Sequence, residues 1–277
     1  MRVFFRASVA VVIVCFLTNS LQAQSKKKER KGEFYFSWGY NKEWYTKSNI
    51  KVKQADLGND YTFVNITGHD HPGWDEGNLL KTPISIPQYN YRIGYIFNKK
   101  KGLGFEINFD HTKFIVADQT ARITGKLNNR PVDSLVAFNE PNGYFYYLNN
   151  GANFLLFNIV KRWHLHESKN GNFKVDILGK AGIGPVIPHV ENSFSTLGGS
   201  QKNDPHFQIG GWNIGTEGTV KATFFNTLFL EYCNKLDYAS YSGLGIYKGT
   251  VRHSFGTYEW ILNIGFTFPM GKHVQNK

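Results

Sequence analysis

A chain of 277 residues with a formal charge of +11, 16% aromatic residues and 28 glycines is long enough for one or two ordinary domains. It holds no nucleophile elbow, phosphate-binding glycine loop, paired-cysteine metal site or zinc-protease helix motif. Its two cysteines, Cys15 and Cys233, are too few for a disulfide framework.

The first element is a leader. Arg2 and Arg6 precede an apolar run over 7–17, and a short polar exit ends in Leu21-Gln22-Ala23. That order is the signature of a secretory signal peptide, with cleavage expected after Ala23. The apolar run is about 11 residues, well short of the roughly 20 a spanning helix needs. Cys15 lies inside this leader and no cysteine stands directly after the cut, which argues against lipoprotein processing and leaves Cys233 as the one mature cysteine. The expected organisation is a signal peptide over 1–23, a charged periplasmic tether over 24–32, a barrel over 33–270 and a polar tail over 271–277. With export expected, the basic balance points to anionic lipid headgroups rather than nucleic acid.

Alternation begins at Glu33. Phe34, Phe36, Trp38 and Tyr40 share one parity and Tyr35, Ser37, Gly39 and Asn41 the other. Successive side chains of a strand point to opposite faces, so one edge is aromatic and the other small or polar. A second segment repeats the pattern, with Tyr89, Tyr91, Ile93, Tyr95 and Phe97 opposing Asn90, Arg92 and Gly94. In a third, Leu103, Phe105, Ile107 and Phe109 oppose Glu106, Asn108 and Asp110. Five more strands are expected over 145–163, 173–190, 207–223, 228–238 and 258–268.

A soluble sandwich would alternate too. The connections separate the cases, because short links near 98–101, 164–172 and 224–227 alternate strictly with long ones near 46–87, 118–144, 191–206 and 239–256. Tight turns at one end and long loops at the other are the plan of an outer-membrane barrel. The fold class expected is therefore all-β: a single antiparallel transmembrane β-barrel of eight strands in the bacterial outer membrane, with long extracellular loops and short periplasmic turns. The run Tyr61-Thr62-Phe63-Val64 is expected to extend it as an extracellular hairpin. The inward set includes Glu33, Arg92, Glu106, Lys174, Asp176, Lys180, Glu217, Lys221, Glu231, Lys235 and Glu259. An eight-stranded interior is filled by side chains, so these charges should pair across it rather than line a wide pore.

The candidate chemistry sits near the outer rim. On the third strand the outward parity continues from Phe109 to His111 and Lys113; on the fifth, Ile183, Pro185, Ile187, His189 and Glu191 share it. The fourth strand lies between them and directs Asn153 outward. Strands three and five are then roughly 10 Å apart, close enough for long side chains to converge on one substrate. The plainer account is that these polar groups touch lipid headgroups, or that Pro185 or Pro188 introduces a bulge that reverses the parity.

At these residues the chain resembles the lipid A oxidase-like outer-membrane barrels. The likeness lies in GLGFEINFDHTKF (102–114), GANFLLFN (151–158), GIGPVIPHVE (182–191) and TPISIPQYNYRIG (82–94). Where the group has Pro-Tyr-Tyr-Gly, this chain reads Pro87-Gln88-Tyr89-Asn90-Tyr91. Members are eight-stranded barrels, and the activity that names the group oxidises the proximal glucosamine of lipid A to an aminogluconate. The resemblance implies that His111, Lys113, Asn153, His189 and Glu191 lie near the substrate, with His111, His189 and Glu191 catalytic. Two histidines and a carboxylate suit a divalent metal with open positions, and His189 with Glu191 equally suits a metal-free base pair. His69 and His71 form a second pair for a metal, or a solvated loop.

The expected role is structural or binding at the outer leaflet, engaging lipopolysaccharide or an apolar ligand. The alternatives are a lipid A-modifying enzyme at the rim and a narrow passive channel. The partners expected are outer-membrane lipids, lipid A among them, with no nucleic acid and a monomeric state.

Overall fold

The computed structural model describes residues 32–73, 87–139, 144–193 and 204–270. The expected leader, most of the tether and the polar tail lie outside the described residues. In chain order the strands are β1 (Gly32–Tyr45), β2 (Ser48–Gln54), β3 (Asn59–Ile66), β4 (Gly68–His69), β5 (Tyr89–Asn98) and β6 (Leu103–Asp110). Then follow β7 (Phe114–Val116), β8 (Gln119–Leu127), β9 (Arg130–Phe138), β10 (Phe145–Leu148), β11 (Phe154–Glu167) and β12 (Phe173–Pro185). The last are β13 (Glu191–Ser193), β14 (Gly211–Phe224), β15 (Leu228–Ile246) and β16 (Gly249–Met270).

Eight of these close a ring in the order β1-β5-β6-β11-β12-β14-β15-β16, and β16 returns to pair with β1. That seam runs antiparallel from Gly32 opposite Met270 to Tyr45 opposite Thr257. Ring closure removes the edges that an open sheet would expose to lipid. The outward positions are apolar and exposed, among them Ile93, Ile107, Phe157, Ile183, Ile214, Leu230, Leu262 and Phe266. Aromatic rings mark the upper edge of this belt: Trp44 packs on Trp260 at 5.0 Å and Trp212 on Tyr238 at 5.8 Å, the place where amphipathic rings sit in membrane barrels.

The lumen is polar and full. Arg92 donates to both oxygens of Glu217 at 2.6 Å, and Lys180 reaches Glu106 at 2.8 Å and Glu217 at 3.1 Å. Above them Lys235 pairs with Asp110, with Asp237 at 2.6 Å and with Glu259 at 3.5 Å. At the short-turn end Glu33 meets Arg162 at 2.7 Å and Lys99 at 2.9 Å. The inward set read from parity is thus buried and paired, except that Lys174 is part-exposed and pairs with Glu167 at 3.2 Å. An apolar layer of Tyr35, Ile96, Val160, Leu178 and Phe229 crosses the same lumen. Two glycines make room for its rings, since a Cβ at Gly94 would lie 2.0 Å from the Tyr35 ring and one at Gly265 2.3 Å from Phe229.

The long connections build a second body beyond the girdle. β16 outlasts the barrel, and Thr250, Val251 and Arg252 pair with Lys53, Val52 and Lys51 of β2. The sheet continues through β3 and β8 to β9, while β13-β10-β7-β4 form a separate four-stranded sheet. The β2–β3 hairpin carries the 61–64 run, as expected. One apolar core takes Ile50, Val52, Phe63 and Ile123 from the first sheet, Phe114, Tyr146 and Leu148 from the second, and Phe154, Leu156, Ala239 and Phe255 from the barrel mouth. This cap therefore packs an apolar interior directly over the charged lumen.

The fourth strand is the main correction. The expected strand over 145–163 is two elements: Phe145–Leu148 belongs to the cap, and the barrel strand starts at Phe154. The break falls where Gly151 and Asn153 adopt φ of 136° and 27°, a backbone that glycine and asparagine tolerate and that ends a ladder. The last two strands run longer than expected, to Ile246 and from Gly249, because the cap gives their outer halves an apolar surface to cover.

Candidate functional site

The rim residues follow from how β6, β11 and β12 end. β6 stops at Asp110, and His111, Thr112 and Lys113 follow as a buried, irregular run. The turn 149–153 is zipped between this run and the segment after β12: Ala152 N donates to Thr112 O at 2.7 Å, His189 N to Gly151 O at 2.9 Å and Ile187 N to Asn153 O at 3.0 Å. The β6-β11-β12 order, with Asn153 in the middle, is as the sequence implied.

His111 and Asn153 meet. His111 Nδ1 lies 2.8 Å from Asn153 Oδ1, and Asn153 Nδ2 donates to Ile187 O at 2.9 Å. The imidazole stacks on Tyr89, centroids 4.7 Å apart with planes at 21°. Tyr89 in turn packs on the lipid-facing Tyr91 at 5.3 Å, so His111 sits on the outer wall. Burial, with the Lys113 charge adding to it, holds His111 below the ordinary imidazole range against the opposing Asn153 contact.

His189 and Glu191 form a second pair, with Nδ1 3.6 Å from Oε1, beyond hydrogen-bond length. Asn150 Nδ2 donates to Glu191 Oε1 at 2.9 Å, and Phe207 packs on the His189 ring at 5.0 Å. Burial still alternates from Val186 to Glu191, leaving Ile187, His189 and Glu191 on the more open side. Neither Pro185 nor Pro188 reverses the parity here.

Lys113 is placed differently from its expected position. The alternation that would turn it to lipid ends with β6, and the residue is buried beneath the cap, where its carbonyl accepts from the Tyr45 hydroxyl at 2.6 Å. His111, His189 and Glu191 do not gather as a ligand set. Among the described residues, the one trio of His, Cys, Asp or Glu with ligand atoms within 4.8 Å of one another is Asp110, Asp237 and Glu259, and the Lys235 ammonium already pairs with each of these. Among the described residues, His111, His189 and Glu191 therefore do not by themselves form a facial metal set. His69 is exposed with Nδ1 2.7 Å from Asp70 O, and His71 N donates to Gln88 Oε1 at 3.1 Å.

Sequence reading missed Tyr89, Asn150 and Phe207 as rim contacts. Tyr89 was legible, since it shares the outward parity of Tyr91. Asn150 and Phe207 lie in irregular segments, where parity says nothing.

A closed antiparallel ring with an apolar outer belt, an aromatic girdle and a charged, filled interior defines an outer-membrane β-barrel, and its place is the bacterial outer membrane. No family model and no curated protein matches the sequence. Among solved structures the chain is similar to the outer membrane protein OprG from Pseudomonas aeruginosa, at 12% identity over 87% of this chain and 97% of that one, TM-score 0.39. It is also similar to Ail of Yersinia pestis (14% identity, 86% and 99% covered, TM-score 0.32) and to the outer membrane protease OmpT from Escherichia coli (11%, 90% and 99%, 0.35). Likenesses of this strength carry nothing about a site, and the class rests on the ring itself.

Proposed function

We propose that the protein is a binding barrel of the outer leaflet whose rim, built from His111, Asn153, His189 and Glu191, engages the headgroup of an outer-membrane lipid, lipid A being the preferred candidate. The observation that carries this reading is the His111–Asn153 contact on the outer wall, stacked on Tyr89 at the upper end of the apolar belt. His111 and Asn153 are themselves largely buried at that height, and His189 and Glu191 are the more open polar groups beside them that a sugar or phosphate would meet. A passive channel is disfavoured, because buried ion pairs fill the lumen and an apolar core covers its outer mouth.

Oxidase-like chemistry is the second reading. It is favoured by the buried His189 Nδ1, which has no hydrogen-bond partner, and by the Glu191 carboxylate beside it. In that reading His189 takes the proton of the anomeric hydroxyl with Glu191 orienting it, dioxygen accepts the two electrons and leaves as hydrogen peroxide, water opens the resulting lactone to the acid, and His111 positions the sugar. The test is mass spectrometry of lipid A from cells grown with oxygen, with and without the protein, together with direct lipid A binding by the purified barrel. Binding without a mass shift supports the first reading. A gain of about one oxygen atom that disappears with His189→Ala establishes the second. Neither binding nor a shift, with the protein confirmed in the outer membrane, defeats both.

A further inference from the structure

Three strands around the ring from β6, which leads into His111, the outer wall carries a different feature. A cleft of about 650 Å³ opens between the link after β1, the β2–β3 hairpin and the outer halves of β15 and β16. Its charged and hydroxyl lining comes chiefly from Lys47, Lys51, Arg252, Ser240, Ser242 and Ser254, and among the described residues no carboxylate lines it.

Two observations make this more than a basic surface. The first is register: Arg252 of β16 stands directly opposite Lys51 of β2. Like charges in directly opposed positions share one face of a sheet and repel. Lys51 has a partial answer in Asp60 at 3.1 Å, a pair more than a third exposed on both sides and correspondingly weak. Lys47 adds a third cation to the same cleft. An anion seated between them would turn a repulsive juxtaposition into a binding site.

The second is height. The cleft begins at Tyr238, an outward ring of the girdle. Beside it Trp260 Nε1 donates to the Tyr258 hydroxyl at 2.6 Å, and Trp44 packs on both rings. Below these the wall is Leu230, Tyr232, Leu262, Ile264 and Phe266, all exposed to the acyl region. A ligand with an anionic head and several acyl chains fits both levels at once.

We infer that this cleft binds the phosphate of an outer-leaflet glycolipid, with the acyl chains lying on the β15–β16 wall. The site is separate from the His111 rim and does not depend on the role given to that rim. A free phosphate offers the same head chemistry without the chains, and an acidic protein segment offers charge without either.

The experiment uses the full exported chain in nanodiscs of zwitterionic lipid. The probes are a lipid A carrying its phosphates, the same lipid after their removal, and inorganic pyrophosphate. The phosphorylated lipid should bind at least about tenfold more tightly than the dephosphorylated one, since each cation near a membrane surface contributes roughly fivefold and more than one lines the cleft. The triple variant Lys47→Gln/Lys51→Gln/Arg252→Gln should erase the difference, and His189→Ala should retain it. Equal binding of the two lipids, or an unaffected triple variant, overturns the proposal. Pyrophosphate binding as tightly as the lipid replaces it with a free-anion site, and loss of the phosphate preference in His189→Ala moves it to the rim. Should the triple variant fail to assemble, Arg252→Gln alone must weaken the phosphorylated lipid severalfold, or the assignment fails.

Discussion

The barrel and the cap are built from the same strands with opposite solvents. In the lower half of β15, Glu231, Lys235 and Asp237 point inward and Leu230, Tyr232 and Tyr238 outward. A few residues on, Tyr241 and Leu244 are the buried ones and Ser240 and Ser242 face out. A β-bulge between Tyr241 and Leu244, with Gly243 at φ 67°, moves the buried parity from odd to even residues, but the strand runs on, and what changes most is the surroundings. Where lipid covers the outside, the charges must be housed inside and paired; where water covers it, the interior returns to the apolar packing of a soluble sheet. The two halves should therefore fail in different ways.

The largest effect is expected in the lumen. Arg92→Met leaves Glu217 and Glu106 buried with too little positive charge, and should cost about 3–5 kcal/mol, read as a lowered urea midpoint of the whole barrel in lipid. A change confined to the cap would show that the two halves are not separately stabilised. In the cap, Ile123→Ala should cost about 2–5 kcal/mol by opening a cavity. Its expected signature is early proteolysis of the extracellular strands while the ring stays resistant, and simultaneous loss of both would merge the two bodies into one cooperative unit. Gly94→Ala forces a methyl group into the Tyr35 ring and should cost about 1–3 kcal/mol, again felt by the barrel.

The pH response should be localised too. His253 lies beyond the girdle, buried in the cap between the Tyr146 hydroxyl at 3.0 Å, the Ser48 hydroxyl at 3.3 Å and the stacked Tyr241 ring. Burial pushes its imidazole down to about 3. The unfolded cap takes up a proton below about pH 6.5 that the folded cap refuses. Cap stability should then fall as pH drops from about 6.5 towards 3, by up to about 1.4 kcal/mol per unit, and His253→Phe should flatten that slope. The smallest effect is at the rim. His189→Ala should change stability by less than about 0.5 kcal/mol while altering lipid A binding or modification.

Parity and link length made the barrel legible because lipid enforces a strict in-and-out pattern over ten or so residues. The charges at Arg92, Glu106, Lys180 and Glu217 could be turned inward on that basis alone. The cap was not legible as a body. Its strands are short, and their apolar partners come from four separate connections, so no single window shows what Phe63, Phe114, Tyr146 and Phe255 share. The same limit explains the fourth strand: Phe145–Leu148 alternates like a barrel strand, and only the five-residue turn 149–153 separates it from Phe154. At the rim, the convergence of His111 on Asn153 was readable from strand order, as was the shared side of His189 and Glu191. Lys113 was misplaced because parity was carried past the residue where the ladder stops.

The pairing of β2 with β16 has a consequence for the order of events at the membrane. β2 leaves the ribosome and crosses the inner membrane among the first strands, yet its link to the barrel sheet is made with Thr250, Val251 and Arg252 of the last. Until β16 arrives, β2, β3, β8 and β9 can pair among themselves but have no hydrogen-bonded ladder to the ring. Closure of the β1–β16 seam and the joining of the outer sheet to the ring are then both completed by the same last strand.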